Sequence, residues 1–233
     1  MSQIKEKLRQ AHRIIYMEGL AEDASRGHIS VRDEEGHIYV KRWGVGFEEV
    51  EEEDFLEMDL KGNILRGEGR AHSEMPLHLE IYRRRRDVKA ITHLHPFYAI
   101  ILSSVFRGKI KTVSQHGVRF IGSIPFYDTA ALIHTPEQAA KLTTLLGNKS
   151  VILMKNHGIT VVGSSLEEAV ILSLHFEKAA REHLEASVFG KPDGIPLSLA
   201  KRLGIHNYSP IQLTMLWSYY WRKYLKKYHK NNV

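Results

Sequence analysis

The sequence predicts one α/β domain, a central and mostly antiparallel sheet flanked by helices. Three observations carry that expectation. Short alternating segments recur in pairs joined by tight turns, as in hairpins. Amphipathic helical stretches interleave with those pairs along the whole chain. No repeat or internal boundary divides the 233 residues, so a single core over 1–233 is expected.

Each element follows from local pattern. Residues 3–18 set Ile4, Leu8, Ala11, Ile14 and Ile15 on one helical stripe, with Gly19 as the stop. His28–Arg32 and His37–Lys41 alternate as strands around the turn Asp33–Gly36. Phe55–Leu60 and Ile64–Leu65 make a second pair around Lys61–Asn63. Ser73–Arg85 reads as a helix that Ser73 can cap, with Leu77, Leu79, Ile81 and Tyr82 as its apolar surface. Val88–His95 is a strand, and a short helix from Pro96 to Ser104 follows it.

Phe120–Ile124 reads as a short strand, and Pro136–Leu146 as a helix opened by its proline. Val151–Lys155 and Ile159–Val162 are strands broken at Asn156-His-Gly158, and a long helix covers Ser165–Ser187. Phe189–Pro196 is turn-rich. The last segment, 205–233, contains a helix from Pro210 to Tyr228 with Leu213, Leu216, Trp217, Tyr220, Trp221 and Tyr224 along it. Such an aromatic stripe exceeds what a lone surface helix exposes, and contact with another subunit is expected.

The net charge of +6 does not indicate nucleic acid. Arg222, Lys223, Lys226, Lys227 and Lys230 supply five positives in the tail, and the body without them carries about +1. Arg83–Arg86 is expected to be balanced by the acidic run Glu48–Asp54. No apolar run reaches the length of a membrane span, and the first residues are charged and amphipathic rather than signal-like. With no cysteine, thiolate metal sites and disulfides are excluded. A cytoplasmic enzyme acting on a small anionic substrate fits these features, with neither a membrane nor a nucleic acid as partner.

The chemistry centres on Ala90-Ile-Thr-His-Leu-His-Pro96. Side chains two apart on a strand share a face, so His93 and His95 project together where Pro96 ends the ladder. With 14 histidines in the chain, chance supplies about one such pair. His157, in a tight turn after an apolar strand, is either a third imidazole for a catalytic metal or an ordinary turn residue. Glu74 either complements a helix N-terminus or acts as general acid/base beside a metal. There is no Walker loop, Gly-x-Gly-x-x-Gly or Gly-x-Ser-x-Gly.

Four segments stand in a telling order: Gly27-His-Ile-Ser-Val-Arg32, His72-Ser-Glu74 with Pro76, Leu77 and His78, Asp87 to Pro96, and Lys155-Asn-His-Gly158. In combination they resemble the class II aldolase/adducin-head family, over about residues 4–187. The resemblance implies a three-layer fold of that family and one divalent metal ion per subunit, bound by His93, His95 and His157. It makes Glu74 the catalytic acid/base. It also implies a homotetramer with active sites at subunit interfaces. Zinc or manganese suits such a site, and iron or cobalt is compatible. Adducin heads lack these ligands, so the intact set points to an enzyme rather than a metal-free interaction module.

Sugar-phosphate aldolases, epimerases and dehydratases of the family cradle phosphate with small hydroxyl residues and asparagine. Here His28, Lys41-Arg-Trp-Gly44 and His72 stand at those positions, with Ser73 retained beside Glu74. Arg42 can grip a planar carboxylate and Trp43 offers a ring face. The expected substrate-binding set is therefore His28, Arg42, Trp43, Gly44, His72 and Ser73. These departures look more like the family's decarboxylase branch, which acts on hydroxylated aromatic or heteroaromatic carboxylates. Retro-aldol cleavage of a sugar phosphate is the alternative.

Overall fold

The computed structural model describes residues 3–21, 25–107, 109–122 and 124–228. Lys230 of the basic tail lies outside them. Helix α1 (Gln3–Met17) ends where Gly19 adopts φ 76° and the Leu20 amide bonds back to Ile15. Strands β1 (His28–Arg32), β2 (Ile38–Lys41), β3 (Phe55–Met58) and β4 (Ile64–Arg66) form an antiparallel meander. Helix α2 (Met75–Arg84) precedes β5 (Ala90–Leu94) and α3 (Phe97–Val105). Then come β6 (Phe126–Tyr127), α4 (Pro136–Leu146), β7 (Val151–Met154), β8 (Gly158–Gly163) and α5 (Leu166–Val188). Helices α6 (Leu197–Asn207) and α7 (Pro210–Tyr228) complete the order.

One eight-stranded sheet runs β4-β3-β2-β1-β5-β8-β7-β6, antiparallel except for the β6–β7 pair. Strand alternation splits the core in two. Ile29, Ala90, Leu94, Ile159 and Val161 face the layer that holds α1, α3 and α5. Ile38, Val40, Ile91, Ile152 and Val162 face α2 and α4. Because β5 is buried along its whole length, its polar residues must find partners. Thr92 bonds Ser173 of α5 at 2.7 Å on one face, and His93 turns to the other.

Several expectations are corrected here. The described residues of the expected strand Phe120–Ile124 form no strand, and residue 123 lies outside them: Gln115–Phe120 form a 3-10 turn opened by Ser114, whose hydroxyl accepts from the His116 amide. The sheet is instead extended by the two-residue β6. Helix α6 begins directly after Pro196, so that proline marks a helix start as well as a turn. Ser73 is exposed and caps nothing, because the N-cap position belongs to Glu74. The arginines at 83, 84 and 85 are balanced by Glu80 and Asp87 rather than by Glu48–Asp54. Glu51 and Asp54 of that run pair instead with Arg13 and Arg42.

The aromatic stripe of α7 is also corrected. Leu213, Trp217, Tyr220 and Tyr224 are buried in the chain's own core, where α7 packs on α1 and α5. Trp217 Nε1 donates to Gln10 of α1 at 3.2 Å. What α7 leaves exposed is another flank, with Ile211, Met215 and Tyr219.

Candidate active site and metal centre

The sheet register brings the polar residues together. His28 of β1 stands opposite His93 of β5, and His93 stands opposite Thr160 of β8. Their rows face α2. His95 follows β5 immediately, and Pro96 then begins α3, whose Tyr98 and Ala99 amides are held by the Glu177 carboxylate at 2.8 and 2.9 Å. That clamp fixes the backbone beyond His95.

His157 occupies the turn between β7 and β8. Asn156 adopts φ 51°, a conformation asparagine tolerates better than most residues, and Ser103 accepts its amide at 2.8 Å. Gly158 is required by space: a Cβ there would lie 2.2 Å from the Leu94 carbonyl oxygen and 2.9 Å from His95. The turn is thereby pressed against the strand that carries the other two imidazoles.

Glu74, His93, His95 and His157 converge, with one donor atom from each lying within 4.8 Å of all the others. His95 Nε2 is 3.1 Å from His93 Nε2, which is 3.5 Å from Glu74 Oε2. His157 Nε2 is 3.9 Å from the same oxygen. Glu74 and His93 are fully buried. Burial pushes the Glu74 carboxyl up, against the lowering by the Ile133 amide and by His95 and His134. It holds the His93 imidazole well below its ordinary range, so charge is disfavoured on both and their contact is not an ordinary ion pair.

This donor set fits a divalent cation. Glu74 Oε1 accepts from the Ile133 amide at 2.7 Å, whereas Oε2 is buried with no hydrogen-bond partner among the described residues. An unsatisfied buried carboxylate oxygen is a costly feature without a cation or proton there. His93 Nδ1 lies 3.0 Å from Thr160 Oγ1, whose own hydrogen points to the Met154 sulfur at 3.8 Å. Thr160 therefore accepts from Nδ1–H and leaves the Nε2 lone pair facing the cluster.

The second group, His28, His72 and Glu74, also lies within 4.8 Å and shares the carboxylate. His28 and His72 rings are 4.4 Å apart, and His72 Nδ1 accepts the Glu74 amide at 3.3 Å. The other expected substrate residues sit on the loop after β2. Arg42 Nε donates to Asp54 at 2.8 Å, and Arg70 covers the Trp43 ring at 3.9 Å. The turn at Gly44 needs its φ of 90°. These loop residues and Ser73 are thus tied to partners or exposed rather than gathered with the imidazoles.

The support behind His28 belongs to no motif in the sequence. His28 Nδ1 lies 2.7 Å from His78 Nε2, His78 Nδ1 lies 2.6 Å from Ser30 Oγ, and Ser30 lies 2.9 Å from the Tyr82 hydroxyl. A signal existed: His28 and Ser30 share a strand face, and His78 and Tyr82, four apart, share a helix face. Ile133, which holds Glu74, carries no such signal.

Residues 6–184 match the model of the class II aldolase and adducin N-terminal domain family. The chain belongs to that family. It is 30% identical over 198 residues to a 3,4-dihydroxyphthalate decarboxylase of Arthrobacter keyseri, covering 80% of this chain and 79% of that one. It is 34% identical over 162 residues to an L-fuculose phosphate aldolase of Methanocaldococcus jannaschii, covering 67% and 83%. Among solved structures, the L-fuculose 1-phosphate aldolase from Glaciozyma antarctica superposes with a TM-score of 0.82 at 25% identity, covering 97% of this chain and 90% of that one. Family membership confirms the expected fold, and no helix among the described residues is long and apolar enough to cross a membrane.

Proposed function

We propose that this protein is a metal-dependent carbon–carbon lyase, a decarboxylase of a hydroxylated aromatic or heteroaromatic, or hydroxy- or oxo-, carboxylate. The observation that carries the reading is the convergence of Glu74 with His93, His95 and His157. A divalent ion held by the three imidazoles, zinc or manganese before iron or cobalt, supplies Lewis-acid stabilisation of the charge left on carbon. Glu74 Oε1 is fixed by the Ile133 amide, so Oε2 is the atom that hands over the proton replacing carbon dioxide. The C–C bond to the carboxylate breaks, its electron pair stays on the ring or chain carbon, and the proton closes that carbon.

His28 and His72 border the carboxylate where compact phosphate would call for small residues, which favours a planar acid. In this reading Arg42, Trp43, Gly44 and Ser73, which are not gathered with the imidazoles, would meet only the far end of a substrate. Retro-aldol cleavage of a sugar phosphate is the second reading, supported by the 34% identity to the fuculose phosphate aldolase. The assembly in this reading is a cytoplasmic homotetramer with interfacial sites, and the segment 205–233 reaches a neighbour through the exposed flank of α7. The deciding experiment loads the protein with each metal and screens hydroxy-carboxylates for carbon dioxide release beside sugar phosphates for aldehyde release. Carbon dioxide from an aromatic hydroxy-carboxylate is expected. Turnover of the phosphates alone would establish the second reading.

A further inference from the structure

The buried line Tyr82, Ser30, His78, His28 has a direction that can be counted. It holds four titratable or hydroxyl hydrogens when both rings are neutral: one on Tyr82, one on Ser30 and one on each imidazole. Three hydrogen bonds join its members, at 2.9, 2.6 and 2.7 Å, and each holds one hydrogen. The fourth must leave at one end of the line or stay unbonded within it.

The Tyr82 end is closed. Its ring is fully buried, and Ser30 is the only polar partner of its hydroxyl among the described residues. The group over its face is the Arg32 guanidinium, 5.0 Å away, which is a cation and accepts nothing. If Ser30 donated to Tyr82, the phenol hydrogen would be buried without an acceptor and would lose its hydration with nothing in return. Tyr82 therefore donates to Ser30, Ser30 to His78 Nδ1, and His78 Nε2–H to His28 Nδ1. The other end is open: His28 Nε2 is buried, has no hydrogen-bond partner among the described residues, and lies 4.0 Å from Glu74 Oε2.

We propose that His28 presents Nε2–H to the site as a neutral hydrogen-bond donor of fixed direction, with Tyr82, Ser30 and His78 as the positioning residues that set it. Burial holds the His78 imidazole down at about 3, in keeping with a neutral ring in the middle of the line. The ligand atom that suits this donor is an oxygen with an exposed lone pair beside the Glu74 carboxylate: a carboxylate, oxo or phenolate oxygen. Only this identity of the acceptor rests on the lyase reading. The direction of the hydrogen bonds does not.

The test reads tautomers, not turnover. Long-range proton–nitrogen NMR on the full-length, nitrogen-labelled protein, with and without zinc, reports which ring nitrogen carries hydrogen. His28→Gln and His78→Gln assign the signals. Nε2–H on both rings is expected, and Nδ1–H on either would overturn the proposal. Ser30→Asp places an acceptor inside the line and is expected to reverse both rings to Nδ1–H, while unchanged tautomers in that variant would also overturn it. Should Ser30→Asp not fold, the wild-type tautomers alone decide. A protein with no lyase activity would leave this measurement standing.

Discussion

His93 and Thr160 face each other across the β5–β8 ladder, with Nδ1 and Oγ1 3.0 Å apart. The threonine hydroxyl selects the imidazole tautomer whose Nε2 lone pair points into the cluster. Replacing Thr160 by valine keeps shape and burial but removes that selection. Metal affinity is expected to fall about 10- to 100-fold, the usual effect of losing a ligand's hydrogen-bonded support. Competition titration against a chelator measures it. An unchanged affinity would show that ring packing alone orients His93.

Glu74 and the imidazoles are separable by mutation. Glu74→Gln preserves the bond from the Ile133 amide and is expected to retain metal while turnover falls about 100-fold or more. His93→Ala is expected to lose both. Metal content by atomic spectroscopy, run beside activity, checks the pair, and full turnover in Glu74→Gln would remove the proton role.

Stability should weaken on the acid side. Burial drives His12, packed between Phe47 and Phe55, down from 6.5 to about 3, and burial likewise drives His175 down to about 3. Such groups are neutral in the folded chain but protonate near 6.5 once unfolded. Their contribution is whole above that value and is lost as pH falls from 6.5 towards 3. Each ring adds a slope of about 1.4 kcal/mol per pH unit in that window. Urea unfolding between pH 7 and pH 4 measures the slope, and His12→Phe is expected to reduce it by one proton.

The two sides of α7 should behave differently. Trp217 is buried against α1, and Trp217→Ala is expected to cost about 3–5 kcal/mol in urea unfolding. Tyr219 is 52% exposed, and Tyr219→Ala is expected to stay within about 0.5 kcal/mol in the isolated chain. A change in sedimentation confined to Tyr219→Ala would mark that flank as a contact between subunits.

Much of this architecture was legible because its signals are local. The Thr135 capping box with Pro136 fixes the start of α4, and Ser165 does the same for α5. His-x-His at a strand end and Asn-His-Gly in a turn located three of the four converging side chains. Failures came where partners are distant. The α7 stripe points outward by its local pattern, because nothing local says that α1, some 200 residues earlier, covers it. Helix α6 carries no legible stripe because its large apolar Leu197, Leu199 and Ile205 are exposed while the face it buries is made by the small Ala200 and Gly204. Periodicity puts His28 with Ser30 and His78 with Tyr82, but it does not report that these two faces, about 50 residues apart, meet.

Gly158 adds a consequence for folding itself. Its lack of a side chain lets the β7–β8 turn meet the Leu94 carbonyl, and the ladder so formed joins residues 67 positions apart at His93 and Thr160. The hairpin bearing His157 can close early through neighbours in sequence, whereas β5 must be brought in from far along the chain. The cluster therefore depends on a strand pairing between residues far apart in the chain. A cation that grips it adds its binding free energy to that pairing, and thus to the fold as a whole.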